Sequence, residues 1–288
     1  AFYACSSTGT FGVADGVGGW ASQGVDPGIF SRTLLEKTHA HFLTDGASGE
    51  SVNEGIGIPE ALAAAGEDLR SLGLPGSCTV LVGKLRDSSL CLLNLGDSGV
   101  VVLRPARRAG LGGKSRAASV VPRLVYRSVE QTHYFNCPYQ VSCDDVKMTV
   151  RDSADELSVQ IRPGDVIVAA TDGCFDNLFT DALMGLVGDH AAPAWADGTW
   201  ALEAPRVAAD IASAVAEAAH ALGLREDDKS VGTPFAKAAR KEGLDAPGGK
   251  LDDIAVVVGI VLPVPSPVEQ GDEKENENTL LSNFRPAK

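Results

Sequence analysis

Three apolar runs in close succession constrain the fold of this chain more than any other feature. Residues 76–83 (GSCTVLVG), 90–95 (LCLLNL) and 99–103 (GVVVL) are rich in β-formers and are separated only by short polar turns. Connections that short join antiparallel neighbours, so the spacing predicts an antiparallel meander. A further short strand, residues 11–14, runs directly into Asp15, Gly16, Val17, Gly18, Gly19 and Trp20. Residues 165–170 read as a buried strand ending at Thr171, Asp172 and Gly173, and residues 254–262 as the last strand. Helices are predicted between these runs. Asp26 and Pro27 suit a helix start, and Ile29, Phe30, Leu34, Leu35 and Phe42 follow at near-helical spacing. A second helix is expected over 59–72. Val207, Ile211, Val215, Ala218 and Leu222 recur at three and four, which gives an amphipathic third.

Composition narrows the class. Hydrophobic residues make up 44% and charged residues 22% of the 288, as in ordinary soluble globular proteins. No apolar run approaches the roughly 20 residues a membrane-spanning helix needs. The balance of 25 Lys and Arg against 38 Asp and Glu, a net charge of −13, argues against nucleic acid as a partner. Six scattered cysteines, none in a C-x-x-C pair, read as reduced, packed thiols in a reducing compartment. The chain opens at Ala1 without Met or signal-like character, so it reads as a fragment or processed chain. The expected organisation is one domain over 1–262, with a basic loop insertion at about 104–123, and a disordered acidic, Pro-rich tail over 263–288. Residues 98–129 contain several arginines and no acid. They read as a solvated surface loop, with a docking surface for phosphorylated substrate as the sharper alternative. Gly113, Lys114 and Ser115 do not make a P-loop, because the place of its first glycine falls on Arg108.

The chemistry lies in where the aspartates fall. Asp15, Asp97, Asp172 and Asp252 each sit at an end of a predicted strand, and the first three adjoin Gly or Ser. Strand ends can present side chains into a common cleft, and glycine lets a hydrated ion approach the backbone. Hard divalent cations want carboxylate and carbonyl oxygens. No His/Cys grouping has zinc spacing, so Mg²⁺ or Mn²⁺ is expected. Any one Asp-Gly pair alone reads as a plain turn.

Taken together, five co-linear segments resemble the signature motifs of the metal-dependent protein phosphatase 2C family. They are FGVADGVGGW from Phe11, GSCT from Gly76, NLGDS from Asn94, ATDGCFDN from Ala170 and GKLDDIAV from Gly249. Two more, EQTHYFNCPYQ from Glu130 and TPFAKAA from Thr233, resemble the branch found in mitochondria and chloroplasts. The resemblance implies an α+β fold: two packed antiparallel sheets in a sandwich flanked by helices, in four α-β-β-α layers. It implies a monomeric protein serine/threonine phosphatase, organellar and soluble, acting on phosphorylated proteins with two or three Mg²⁺ or Mn²⁺ ions. By the same resemblance Asp15 bridges two ions, Gly16 offers its carbonyl, and Asp172 and Asp252 are further ligands. Adjacent strand residues point to opposite faces, so only one of Asp252 and Asp253 is expected to reach the cluster, and Asp252 is preferred because the family's ligand comes first in that pair. Asp97 and Asp176, with Asp172, resemble the ligands of a weaker third ion. Catalysis is expected from a metal-bridged water held by Asp15, Asp172 and Asp252.

Two departures stand out. Many members carry a histidine where this chain has Val17, and His133, the nearest substitute, reads as structural. The family's acidic second-metal ligand lies upstream of residues 11–14, and residues 1–10 carry no charge. A catalytically silent relative that binds phosphoproteins is therefore the main alternative, and a hydrolase of small phosphate esters a further one. Cys174, between Asp172 and Asp176, reads as a small packed side chain.

Overall fold

The computed structural model describes residues 1–46, 55–108 and 119–263. The expected tail from residue 264 on, and Lys114 and Arg116 of the basic stretch, lie outside the described residues. The chain opens with strands β1 (Phe2–Cys5) and β2 (Thr10–Gly16), then passes a 3-10 turn at Gly18–Gln23 into helices α1 (Pro27–Gly46) and α2 (Ile58–Ser71). Strands β3 (Ser77–Arg86), β4 (Ser89–Leu95), β5 (Gly99–Arg108) and β6 (Ser119–Arg127) follow. The short β7 (Thr132–Tyr134), β8 (Cys137–Pro138) and β9 (Val141–Ser142) come next, then α3 (Val146–Ser153), β10 (Asp155–Gln160) and β11 (Val166–Ala170). Helices α4 (Asp172–Phe175), α5 (Thr180–Asp197), α6 (Trp200–Gly223) and α7 (Pro234–Lys241) lead to β12 (Val256–Ile260).

Two antiparallel sheets pack face to face. One runs β1-β2-β3-β4-β10, with β9 also on β3; the other runs β12-β11-β5-β6. Alternation along each strand sorts side chains between layers. In β5, Val100 and Val102 enter the core between the sheets, while Val101 and Leu103 face α5 and α6. In β11, Ile167 and Ala169 point inward and Val166, Val168 and Ala170 point to the same helices. On the other side, Val80, Val82, Leu93 and Leu95 pack against Phe30, Leu34, Leu62 and Leu69 of α1 and α2. The result is the expected α-β-β-α sandwich. Each such large side chain contributes about 1.5–3 kcal/mol through burial, so the strands, covered on both faces, carry much of the stability.

Local chemistry agrees with the helix starts. The Asp26 carboxylate accepts a hydrogen bond from the Gly28 N–H at 2.8 Å, and Pro27 opens α1. The three-strand meander needs correction. β3 and β4 pair as expected, but β5 leaves for the second sheet, between β11 and β6. The chain makes that crossing at Gly96, whose φ of 108° is closed to most residues. A Cβ there would also lie 2.6 Å from the Tyr139 carbonyl oxygen. A short polar turn between apolar runs looks the same whether the chain reverses within one sheet or steps to the next.

The flanks of the basic stretch are strand rather than loop. β5 and β6 pair from Val101 opposite Arg127 out to Arg108 opposite Ser119. Arg104 is structural: its guanidinium donates to both oxygens of the fully buried Asp165 carboxylate, at 2.8 and 2.6 Å. Removing one partner of a buried pair strands the other charge, so Arg104→Ala is expected to lower stability by about 3 kcal/mol. The exposed Arg107→Ala should stay within about 0.5 kcal/mol of the parent, both read from urea unfolding.

Candidate metal centre

The two sheets end together on one side of the sandwich, and the aspartates collect there. β2 terminates at Asp15 and Gly16, with Asp15 opposite Thr79 of β3. In the second sheet Ala170, the last residue of β11, lies opposite both Gly99 and Val256. Asp172 just after β11, Asp97 just before β5 and Asp252 shortly before β12 therefore share one end. A buried hydrogen bond between the Thr79 and Ser98 hydroxyls, 3.0 Å, stitches the sheets at this point.

Asp15, Asp172 and Asp252 converge. Each offers a carboxylate oxygen, and the three oxygens lie within 4.8 Å of one another. Asp172 is not at a free strand end: it opens the helical turn α4, with Thr171 at its N-cap. The Thr171 hydroxyl donates to the Asp253 carbonyl at 3.2 Å and accepts from the Ala255 N–H at 3.0 Å, tying α4 to the segment that carries Asp252. Asp253 does not join the group; its N–H donates to Asp252 Oδ1 at 2.8 Å. The pair precedes β12 instead of lying within it, so strand alternation does not select between them.

These residues fit a divalent cation on two counts. Among the described residues, and with the carboxylates ionised, Asp172 Oδ1 is buried with no hydrogen-bond partner, an orphan whose cost a cation would remove. The carboxylates also repel one another in a site only partly open to water. Burial, the contact with Asp172 and the charges of Asp172 and Asp252 push the Asp15 carboxyl up to about 8. Gly16, proposed from the sequence for its carbonyl, sits where no side chain fits: a Cβ would lie 2.2 Å from the Pro27 carbonyl oxygen.

Asp97 and Asp176 stand outside that group of three, next to a residue the sequence reading passed over. Lys250 Nζ donates to Asp172 Oδ2 at 2.6 Å and to Asp176 Oδ2 at 2.7 Å, and lies 3.1 Å from Asp252 Oδ2. Burial pushes Asp176 up to about 6 against the pull of Lys250, and Asp97 up to about 7 with the help of Asp172. For Lys250 itself burial favours losing the proton, but Asp176 and Asp172 outweigh it and the net shift is upward. Lys250 and Asn177 both lie within the quoted motifs. A lysine between a glycine and a leucine, however, gives no sign of three acids around it.

The remaining candidates fall elsewhere. His133 is exposed, with its ring on Tyr139 at 4.3 Å. Cys174 is fully buried among the side chains under α6, and burial pushes its thiol up to about 12. All six cysteines are free thiols. Arg127 stacks on Phe175 and donates to the Thr180 hydroxyl at 2.6 Å. Among the described residues no helix is long and apolar enough to cross a membrane.

No family model matches the chain. Individual proteins do. The Protein phosphatase PTC7 homolog of Danio rerio is 34% identical over 265 residues, covering 88% of this chain and 77% of that protein. Probable protein phosphatase 2C 55 of Arabidopsis thaliana is 34% identical over 261 residues, 91% of this chain and 47% of its own length. Probable protein phosphatase 2C 80 of the same plant is 31% identical over 261 residues, 91% of this chain and 54% of its own. The chain thus spans about half the length of these two Arabidopsis relatives. Among solved structures, the photosystem II phosphatase PBCP superposes with a TM-score of 0.67 at 28% identity, over 91% of this chain and 90% of that one. The Mycobacterium tuberculosis serine/threonine phosphatase PstP/Ppp shares the fold, with a TM-score of 0.53 at 16% identity over 91% of this chain and 92% of that one. With its sandwich and its convergent aspartates, the chain belongs to the protein phosphatase 2C family.

The raised carboxyl values set a pH dependence. Groups whose folded pKa exceeds the unfolded value hold protons that the unfolded chain has released. The stability of metal-free protein should therefore fall as pH rises from about 4 to about 8. A divalent cation competes with those protons and should bind more tightly across the same rise. Thermal melts of stripped and Mn²⁺-loaded protein at several pH values check both signs.

Proposed function

We propose that this chain hydrolyses phosphoserine and phosphothreonine in proteins, using Mg²⁺ or Mn²⁺ held by Asp15, Asp172 and Asp252. The observation that carries this reading is the meeting of three carboxylates from distant sequence positions around an unpartnered Asp172 Oδ1. When bound, such cations acidify water and offset charge on phosphoryl oxygens. The chain's own residues do the rest. Asp15, at the end of β2, would hold the ions together with Asp172 and Asp252, and the neighbouring Gly16 carbonyl would supply an uncharged oxygen. Asp172 divides its oxygens: Oδ1 is left for a cation while Oδ2 is held by Lys250. Hydrogen bonds through Thr171 and Asn177 fix α4 against the segment before β12, so the donor atoms are set before any ion arrives.

The Trp20 indole donates to the Ser77 hydroxyl at 2.7 Å, and that hydroxyl donates to Gln140 at 2.6 Å. This relay ties the glycine-rich loop after Asp15 to the segment 130–140. That segment and 233–239 support an organellar location, chloroplast or mitochondrion, by their resemblance to that branch. A fluorescent fusion of the full-length protein in the cytosol would oppose it.

Metal-stripped protein should release no phosphate from phosphoserine and phosphothreonine peptides, and Mn²⁺ should restore release. Asp172→Asn should cut turnover roughly a hundredfold or more while the fold persists by circular dichroism. Phosphopeptide binding without release would instead support the binding-module alternative. Faster turnover of small phosphate esters than of phosphopeptides would move the substrate class.

A further inference from the structure

Lys250 is held more firmly than a surface lysine that has drifted onto an acidic patch. Its backbone is clamped on both sides by one amide: the Lys250 N–H donates to Asn177 Oδ1 at 3.0 Å, and its carbonyl accepts from Asn177 Nδ2 at 2.8 Å. Asn177 is itself buried and also donates to the Gly173 carbonyl at 2.8 Å, in the turn that carries Asp172 and Asp176. The stem is thereby aimed at those two carboxylates. The ammonium meets three carboxylate oxygens within 3.1 Å, which matches the three protons it can donate.

The open side of the ammonium is roofed. The Phe235 ring lies 5.5 Å from Nζ, a cation-π contact, and the Phe235 N–H donates to the Asp176 carbonyl at 3.0 Å. Phe135, from the connection between β7 and β8, packs on Phe235 with ring centroids 5.3 Å apart. The two segments that resemble the organellar branch thus meet directly over Lys250. The lysine side chain is 17% exposed. With its donors committed to carboxylates and a ring above it, Lys250 is poorly placed to take a phosphoryl group. It neutralises one side of the cluster, while the Asp172 Oδ1 side stays unpaired.

We propose that Lys250 is a tethered cation that fills the Asp172–Asp176 side of the acidic cluster, so that divalent ions bind only on the Asp15–Asp172–Asp252 side. This rests on the reading that the latter side takes divalent ions. An ammonium at that spot excludes a further divalent ion by occupying its oxygens and by charge repulsion. It also keeps Asp176 and Asp172 together with no dependence on metal supply.

The test counts ions rather than activity. Metal-stripped full-length protein and its Lys250→Met variant are titrated with Mn²⁺, and free Mn²⁺ is followed by electron paramagnetic resonance. The variant should bind one more ion per chain than the parent, and a second substitution, Asp176→Asn, should abolish the extra ion. Lys250→Arg, which keeps the charge, should return the parental count. Equal counts in the parent and Lys250→Met would overturn the proposal while leaving the metal site standing. No Mn²⁺ binding by either would overturn both. Should the Met variant not fold, reductive methylation of the unmodified protein decides. Lys250 should resist labelling equally with and without saturating Mn²⁺, and labelling that begins when Mn²⁺ is added would show the ion expelling the lysine.

Discussion

Mutual repulsion among carboxylates at one end of the sandwich is the constraint on which the rest of this structure depends. Asp15, Asp97, Asp172, Asp176 and Asp252 come from four separate stretches of strand end, crossover and helical turn, Asp172 and Asp176 sharing the turn α4. They are crowded where water only partly reaches them, which raises Asp15, Asp97 and Asp176 above the ordinary carboxylate range. Such an arrangement costs free energy in the empty state. It persists because the surrounding packing is extensive. Strands buried on both faces and helices on each outer side over-determine where those strands end. Stability built in the sandwich is used at its rim, as at many sites where strain and charge serve function.

Two kinds of positive charge answer that repulsion. One is covalently attached: Lys250, oriented by Asn177 and covered by Phe235. On the proposed reading the other comes from solution, at the unpartnered Asp172 Oδ1. Asp172 and Asp252 both reach Lys250, so they stand between the half of the cluster that the chain satisfies itself and the half proposed for ions. The aromatic contact between Phe135 and Phe235 gives the segments 130–140 and 233–239 a common place, over the self-satisfied half.

Much of the fold was legible because its strongest signals are local. The Asp26-Pro27 start of α1, the apolar spacing of α6 and the continuous β-former runs of β3, β4 and β11 each carry their own signature. Elements without one were missed. β1 and β10 become strands by pairing with β2 and β4 at the sheet edge, where partner hydrogen bonds outweigh composition. α5 contains Pro193 and lacks a clean apolar stripe, so its helical state reflects packing on the second sheet. Sequence spacing placed β5 in the wrong sheet because Gly96 reads as an ordinary turn glycine until the chain around it is seen. At the site, the aspartates were legible through their motifs. Lys250 was not, since its significance comes from three acids brought near it only by folding.

The central claim is that folding gathers Asp15, Asp172 and Asp252 around shared cations. The most direct measurement is a crystal structure of the Mn²⁺-soaked protein, with ions located by anomalous scattering. The account predicts anomalous peaks bounded by these three carboxylates, with the Asp172 Oδ1 atom in contact. Peaks elsewhere, or none at a saturating Mn²⁺ concentration, would contradict it.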